Sequence, residues 1–131
     1  MLGAAAGADG LGVAPEAQWS IVNPIGGGVL DPEALAIAID WLLMTAQPDV
    51  VILPWDVPES VPAYQLAIPI GALRAAGMAV ALPAGNEGPV SGANRPPANL
   101  LGLAPDGAPA FSVGGVDALL QAYESSSRGP N

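Results

Sequence analysis

The sequence predicts an α/β fold, a parallel sheet with helices across it. Short apolar runs of strand type fall at residues 18–22, 49–53, 78–82 and 110–113. Two stretches of helical spacing, residues 32–46 and 60–76, separate the first three of them. Such alternation implies parallel strands joined by right-handed crossovers. Ligands of such sheets bind beyond the carboxyl ends of the strands, so the loops after Leu53 and Leu82 are expected to carry any chemistry. The chain of 131 residues suffices for one domain with one modest core.

Residues 1–16, MLGAAAGADGLGVAPE, are rich in glycine and alanine and read as a short helix followed by a turn at Asp9-Gly10. Residues 18–22, QWSIV, have the aromatic and β-branched side chains of a short strand. Pro24 and the glycines at 26–28 end it. A glycine run between strand and helix can cradle a phosphate. This one lacks the fingerprint spacing and any lysine, and it reads as a flexible turn.

The helix over residues 32–46 is the clearest element. Asp31 is an N-cap, Pro32 takes the first helical position, and Glu33 sets negative charge at the positive helix end. Leu35, Ile39, Leu42 and Ala46 recur at helical spacing, Trp41 is expected to pack, and Pro48 stops the helix. Residues 49–53, DVVIL, form a continuous β-branched run of the buried type, closed by Pro54. In the stretch 60–76, Leu66, Ile70 and Leu73 share one side. Pro69 inside it removes a backbone hydrogen bond, so a kink or two short helices is expected. Gly77 is the C-cap. Residues 78–82, MAVAL, read as another buried strand and 83–88 as a loop. Residues 89–109, rich in Pro, Gly, Asn and Ala, read as a long irregular segment, a kind that often carries function. AFSV at 110–113 is the last strand, turned by Gly114-Gly115.

Charged residues make up 11% of the chain, against roughly 25% in an ordinary soluble domain. Part of the surface is therefore expected to be covered, by the rest of a larger domain or by a partner. The net charge is −9, and the three basic residues, Arg74, Arg95 and Arg128, lie far apart. Nucleic-acid backbones and anionic membrane surfaces need clustered basic side chains, so neither is an expected partner. The apolar stretches are too short for a membrane span. No signal peptide is visible, because the first apolar stretch has no basic flank and is broken by Gly7, Asp9 and Gly10.

The absence of cysteine excludes disulfides, zinc–thiolate sites and thiol nucleophiles within the chain. The absence of histidine excludes an internal Ser-His-Asp triad, because the serine proton has no imidazole to move to. A carboxylate in place of histidine would need a serine on a tight turn facing it, and the sequence displays none. Asp9, Glu87, Asp106 and Asp117 are isolated acids, with no spacing that gathers the about six to eight oxygens calcium takes. Neither a metal nor a cofactor is expected.

Several motifs, in order, resemble those of the subtilisin-like serine peptidase family. They are GVAPEA at 12–17, AIDW at 38–41, PDVVI at 48–52, Ala76-Gly77 followed by AGNEGP at 84–89, PAN at 97–99, VGGVD at 113–117 and SSRGP at 126–130. The resemblance covers nearly the whole chain, and the opening MLGAAAGADG is similar to the bacillopeptidase F-like branch. It implies that residues 1–131 are a partial peptidase domain of the subtilisin-like fold, lying between the family's catalytic His and Ser motifs. Family members are often secreted.

The same resemblance matches Asn86 to the asparagine whose side-chain amide helps form the oxyanion hole. That donor stabilises charge which develops only in the transition state. Read from the residues alone, Gly85-Asn86 after a strand is an ordinary turn. The strand end that binds substrate backbone in the family reads Leu53-Pro54-Trp55-Asp56 here. Pro54 has no N–H to offer a substrate strand, and Asp56 stands where a glycine would let the substrate approach. Pro54, Trp55, Asp56 and Gly85 are thus the expected, altered substrate groove.

The expected function is that of a fragment or degenerate relative of a subtilisin-like serine endopeptidase, without the triad and inactive alone. The alternative is a non-catalytic peptide- or protein-binding module derived from the peptidase fold. A third reading, acid–base chemistry by Asp49 and Asp56, has no supporting spacing. The resemblance implies a protein or peptide as substrate. Self-association, or docking of the missing parts of a peptidase domain, is expected because half a sheet leaves an unpaired edge and an uncovered apolar face.

Overall fold

The computed structural model describes residues 2–26, 28–55, 64–89 and 110–128. A short helix α1 (Leu2–Ala6) leads into a turn in which Asp9 and Gly10 both have positive φ, 56° and 80°. Two short strands follow, β1 (Ile25–Gly26) and β2 (Val29–Leu30), paired antiparallel through a turn in which Gly28 has φ 81°. The Asp31 N–H donates to the Pro24 carbonyl at 2.9 Å, which closes this ribbon onto the start of the next helix.

Helix α2 (Pro32–Trp41) begins at Asp31, whose Oδ1 accepts from the N–H groups of Glu33 at 2.9 Å and Ala34 at 3.3 Å. These bonds satisfy two of the donors a helix start leaves open. Leu35, Ala38 and Ile39 are its buried face. The helical run expected to Ala46 changes form after Trp41. Residues Leu42–Ala46 wind as a wider π turn, and Gln47 ends it in the left-handed region at φ 44°. Trp41 stays exposed.

Helix α3 (Tyr64–Ala75) continues through Pro69 as one helix, where a kink or two short helices was expected. Leu66, Ile70 and Leu73 are buried along it. Burying each such side chain contributes about 1.5–3 kcal/mol, enough together to offset the roughly 3 kcal/mol an internal proline costs. The helix closes as a Schellman motif. The Gly77 N–H donates to the Arg74 carbonyl at 2.9 Å and the Met78 N–H to the Leu73 carbonyl at 3.2 Å. That geometry requires the positive φ of Gly77, 86°.

Strands β3 (Val50–Ile52), β4 (Ala79–Pro83) and β5 (Ala110–Val113) form a three-stranded sheet in the order β3-β4-β5. Both pairings are parallel, with Val51 opposite Val80 and Leu82 opposite Ser112. One face is the core. Val51, Leu53, Val80 and Leu82 point into it, and α2 and α3 supply the opposing layer through Leu35, Ile39, Leu66, Ile70 and Leu73. The other face is apolar and open to solvent, with Val50 57% and Phe111 55% exposed.

Two expectations are corrected here. Residues 18–22 do not form a strand, and Trp19 and Ile21 are exposed. Strand-forming side chains need a neighbour to pair with and a face to bury, and this run finds neither among the described residues. The single parallel sheet gives way to a mixed arrangement: a parallel sheet of three strands and a separate antiparallel ribbon. The start of the second helical stretch at 60–63 and most of the irregular segment, 90–109, lie outside the described residues.

Candidate functional site

Parallel, in-register pairing brings the carboxyl ends of β3 and β4 to the same end of the sheet. The ladder runs one step beyond β3, where the Leu53 N–H donates to the Ala81 carbonyl at 3.0 Å. Pro54 then leaves the sheet exposed. Trp55 is half-buried and packs against the core cluster. Asp56 lies outside the described residues. Beyond β4 the buried Ala84 donates its N–H to the Val113 carbonyl at 2.9 Å, so the pairing with β5 also extends one step. Gly85 turns the chain at φ 105°, Asn86 stands exposed at the tip, and Gly88 turns it again at φ 85°.

A second segment grips this loop from β5. After Gly114-Gly115 the chain makes a tight turn organised by Asp117, whose Oδ1 accepts from the N–H groups of Leu119 at 2.8 Å and Gln121 at 2.9 Å. Leu120 in this turn has φ 61°. Val116 and Ala122 form an isolated antiparallel bridge, and the returning segment delivers residues 125–127 to the loop after β4. There the Ser127 N–H donates to the Gly85 carbonyl at 3.1 Å, and the Gly88 N–H donates to the Ser125 carbonyl at 3.0 Å. The Ser127 hydroxyl accepts the Glu87 N–H at 2.9 Å and donates to Glu87 Oε2 at 2.8 Å. The Ser126 hydroxyl points the other way and accepts the Gly115 N–H at 2.9 Å.

Glu87, expected to be a solvent-facing charge, is therefore tied to a serine 40 positions away. A serine facing a carboxylate was not expected either. No local pattern announces such a pair, because its partners meet only after β5 has aligned beside β4. Ser127 is 5% exposed, and its oxygen is engaged both as acceptor and as donor. A hydroxyl so enclosed braces a loop; it is not presented for attack on a substrate.

Asn86 is placed differently. Its amide carries two donors, it is exposed, and its loop is anchored on both sides. The structure thus sets Gly85 and Asn86 at the same sheet end as Pro54 and Trp55. Among the described residues no three acidic side chains gather in a way that could hold a metal ion. Asp106 lies outside the described residues. No described helix is long and apolar enough to cross a membrane.

The fold is similar to that of a solved structure named S41 Psychrophilic Protease, with a TM-score of 0.63 and 25% sequence identity over 92% of this chain. The chain spans 39% of that protein's length. No protein-family model matches the chain. No curated protein matches it.

No family model matches the chain, and the solved structure it resembles is named only as a psychrophilic protease, S41; the assignment to the subtilisin-like family and its bacillopeptidase F-like branch, and with it the subtilisin-like fold, is therefore withdrawn. The reading of the chain as a fragment or degenerate relative of a subtilisin-like endopeptidase is withdrawn with it. What the likeness supports is an α/β fold similar to that of the S41 protease. The physical reason lies in what the matched motifs do. AGNEGP and SSRGP are turn-forming sequences, and here their Gly, Glu and Ser residues fix one loop against another. They report local loop geometry, which does not by itself decide a family. The PAN motif at 97–99 lies outside the described residues.

Proposed function

We propose that this chain is a serine-peptidase-like domain of the S41 protease kind, which engages an extended protein or peptide at the carboxyl end of its parallel sheet. The observation that carries the reading is the convergence of two loops, 53–55 and 84–88, at one sheet end in a fold similar to that of a solved protease. Loops at this end are where open α/β sheets take ligands. In this reading Asn86 donates its side-chain amide to a carbonyl oxygen of the bound chain, and Pro54, Trp55 and Gly85 border the peptide. Pro54 cannot donate to a peptide backbone, so that side of the site recognises its ligand by shape and apolar contact with Trp55.

The chain contains no histidine, so an imidazole-dependent step would need one from outside these 131 residues. Binding is therefore the direct readout. Fluorescein-labelled β-casein, an unstructured protein, is titrated with the chain and followed by fluorescence anisotropy. Saturable binding is expected. Asn86→Ala is expected to weaken it roughly two- to tenfold, because one neutral hydrogen bond contributes about 0.5–1.5 kcal/mol. Absence of binding, or equal affinity of the Asn86→Ala variant, would refute the reading.

A further inference from the structure

We propose that Ser127 is a positioning residue for the peptide-binding loop: it holds the residues on either side of Asn86 and so fixes where the Asn86 amide points. The inference rests on the role given to Asn86 above. Three hydrogen bonds join this one buried serine to the loop. Its N–H donates to the Gly85 carbonyl at 3.1 Å, immediately before Asn86. Its hydroxyl accepts the Glu87 N–H at 2.9 Å and donates to the Glu87 carboxylate at 2.8 Å, immediately after it. A residue whose two neighbours are held this way keeps its own peptide planes in place. Its side chain then samples only the rotamers that backbone allows. Pre-organising a donor in this manner raises affinity by lowering the ordering cost of binding.

Gly85 points to the same arrangement. Its φ of 105° is one that side-chain-bearing residues rarely adopt, and a Cβ there would run into the Glu87 carboxylate and the Ser127 hydroxyl. The space that a side chain would fill is occupied by the clamp. The chemistry also demands a hydroxyl, because the group must accept from an N–H and donate to a carboxylate together. Threonine keeps both capacities, and alanine keeps neither. Ser126 provides an internal comparison. It is as buried as Ser127, at 7% against 5% exposed, but its hydroxyl braces Gly115 and leaves residues 85–88 alone.

The test is a double-substitution cycle in the β-casein assay with the full chain. Ser127→Ala is expected to lower affinity roughly two- to tenfold, like Asn86→Ala. The double variant is expected to bind no more weakly than Asn86→Ala alone, since Ser127 acts through Asn86. Ser127→Thr is expected to restore affinity, and Ser126→Ala to leave it unchanged. If Ser127→Ala does not fold, Glu87→Ala, which removes the exposed partner, takes its place with the same expectation. Additive losses in the double variant, or full affinity in Ser127→Ala while Asn86→Ala is impaired, would overturn the clamp and leave the peptide-binding reading intact. Full affinity in Asn86→Ala would remove that reading and the clamp with it.

Discussion

At Gly85 a single backbone angle, φ 105°, decides whether the loop after β4 can meet the segment returning from β5. Positive φ is strained for any residue with a side chain, and here a methyl group would also displace Glu87 and Ser127. Gly85→Ala is therefore expected to cost about 1–3 kcal/mol of stability. A lower urea midpoint with unchanged slope would show it. A midpoint equal to that of the native chain would mean the loop rearranges freely and is not clamped. Much at this scale was legible in the sequence. Gly-Asn after a buried run marks a turn, and both Gly85 and Asn86 lie in one. Its fastening was not legible. Ser127 stands 40 positions from Glu87, and its role exists only because two parallel strands bring the segments together. Glu87 looked like an isolated charge for the same reason.

At the scale of elements, periodicity and end signals carried most of the information. Asp31, Pro32 and Glu33 mark a helix start from sequence alone, and Asp31 caps α2. Gly77 marks the end of α3 and adopts the positive φ that the end requires. Where reading failed, tertiary structure had overridden local preference. Residues 18–22 have strand-type side chains but, among the described residues, no strand beside them, whereas the less conspicuous Ile25 and Leu30 do pair. Of the kink or two short helices expected at Pro69, the division into two is absent, and buried leucine and isoleucine on both sides hold α3 together.

The two faces of the sheet give the sharpest expectation at this scale. Leu82 is 1% exposed within the core, and Ile52 is 45% exposed on the opposite face. Leu82→Ala should cost about 2–5 kcal/mol by leaving a cavity. Ile52→Thr should stay within about 0.5 kcal/mol, as for an ordinary surface position. Denaturant melts of the two variants decide this. Comparable losses in both would show that the outer face is covered in solution.

At the scale of the whole molecule, the low charge content and the open sheet face belong together. Purely parallel sheets are ordinarily covered on both sides. Here helices cover one side, while Val50, Ile52, Phe111 and Val113 stay open on the other. The chain matches 39% of the S41 protease by length, so in that protein the equivalent region lies within a larger fold. Composition made the open face legible in advance, because 11% charged residues is too few to cover a free surface. The family was not legible in the same way. Short motifs of turn residues were specific enough to locate a loop and not to show a family, and the likeness of the whole fold is to a solved protease.

The central claim is that an extended chain binds across the carboxyl ends of β3 and β4. Its most direct test is a map of amide chemical-shift changes in isotope-labelled protein on titration with unlabelled β-casein. Changes are expected to concentrate at Leu53, Trp55 and residues 84–88, with the Asn86 side-chain amide among the most affected. Changes confined to Val50, Ile52, Phe111 and Val113, with residues 84–88 still, would contradict it and place binding on the open face of the sheet instead.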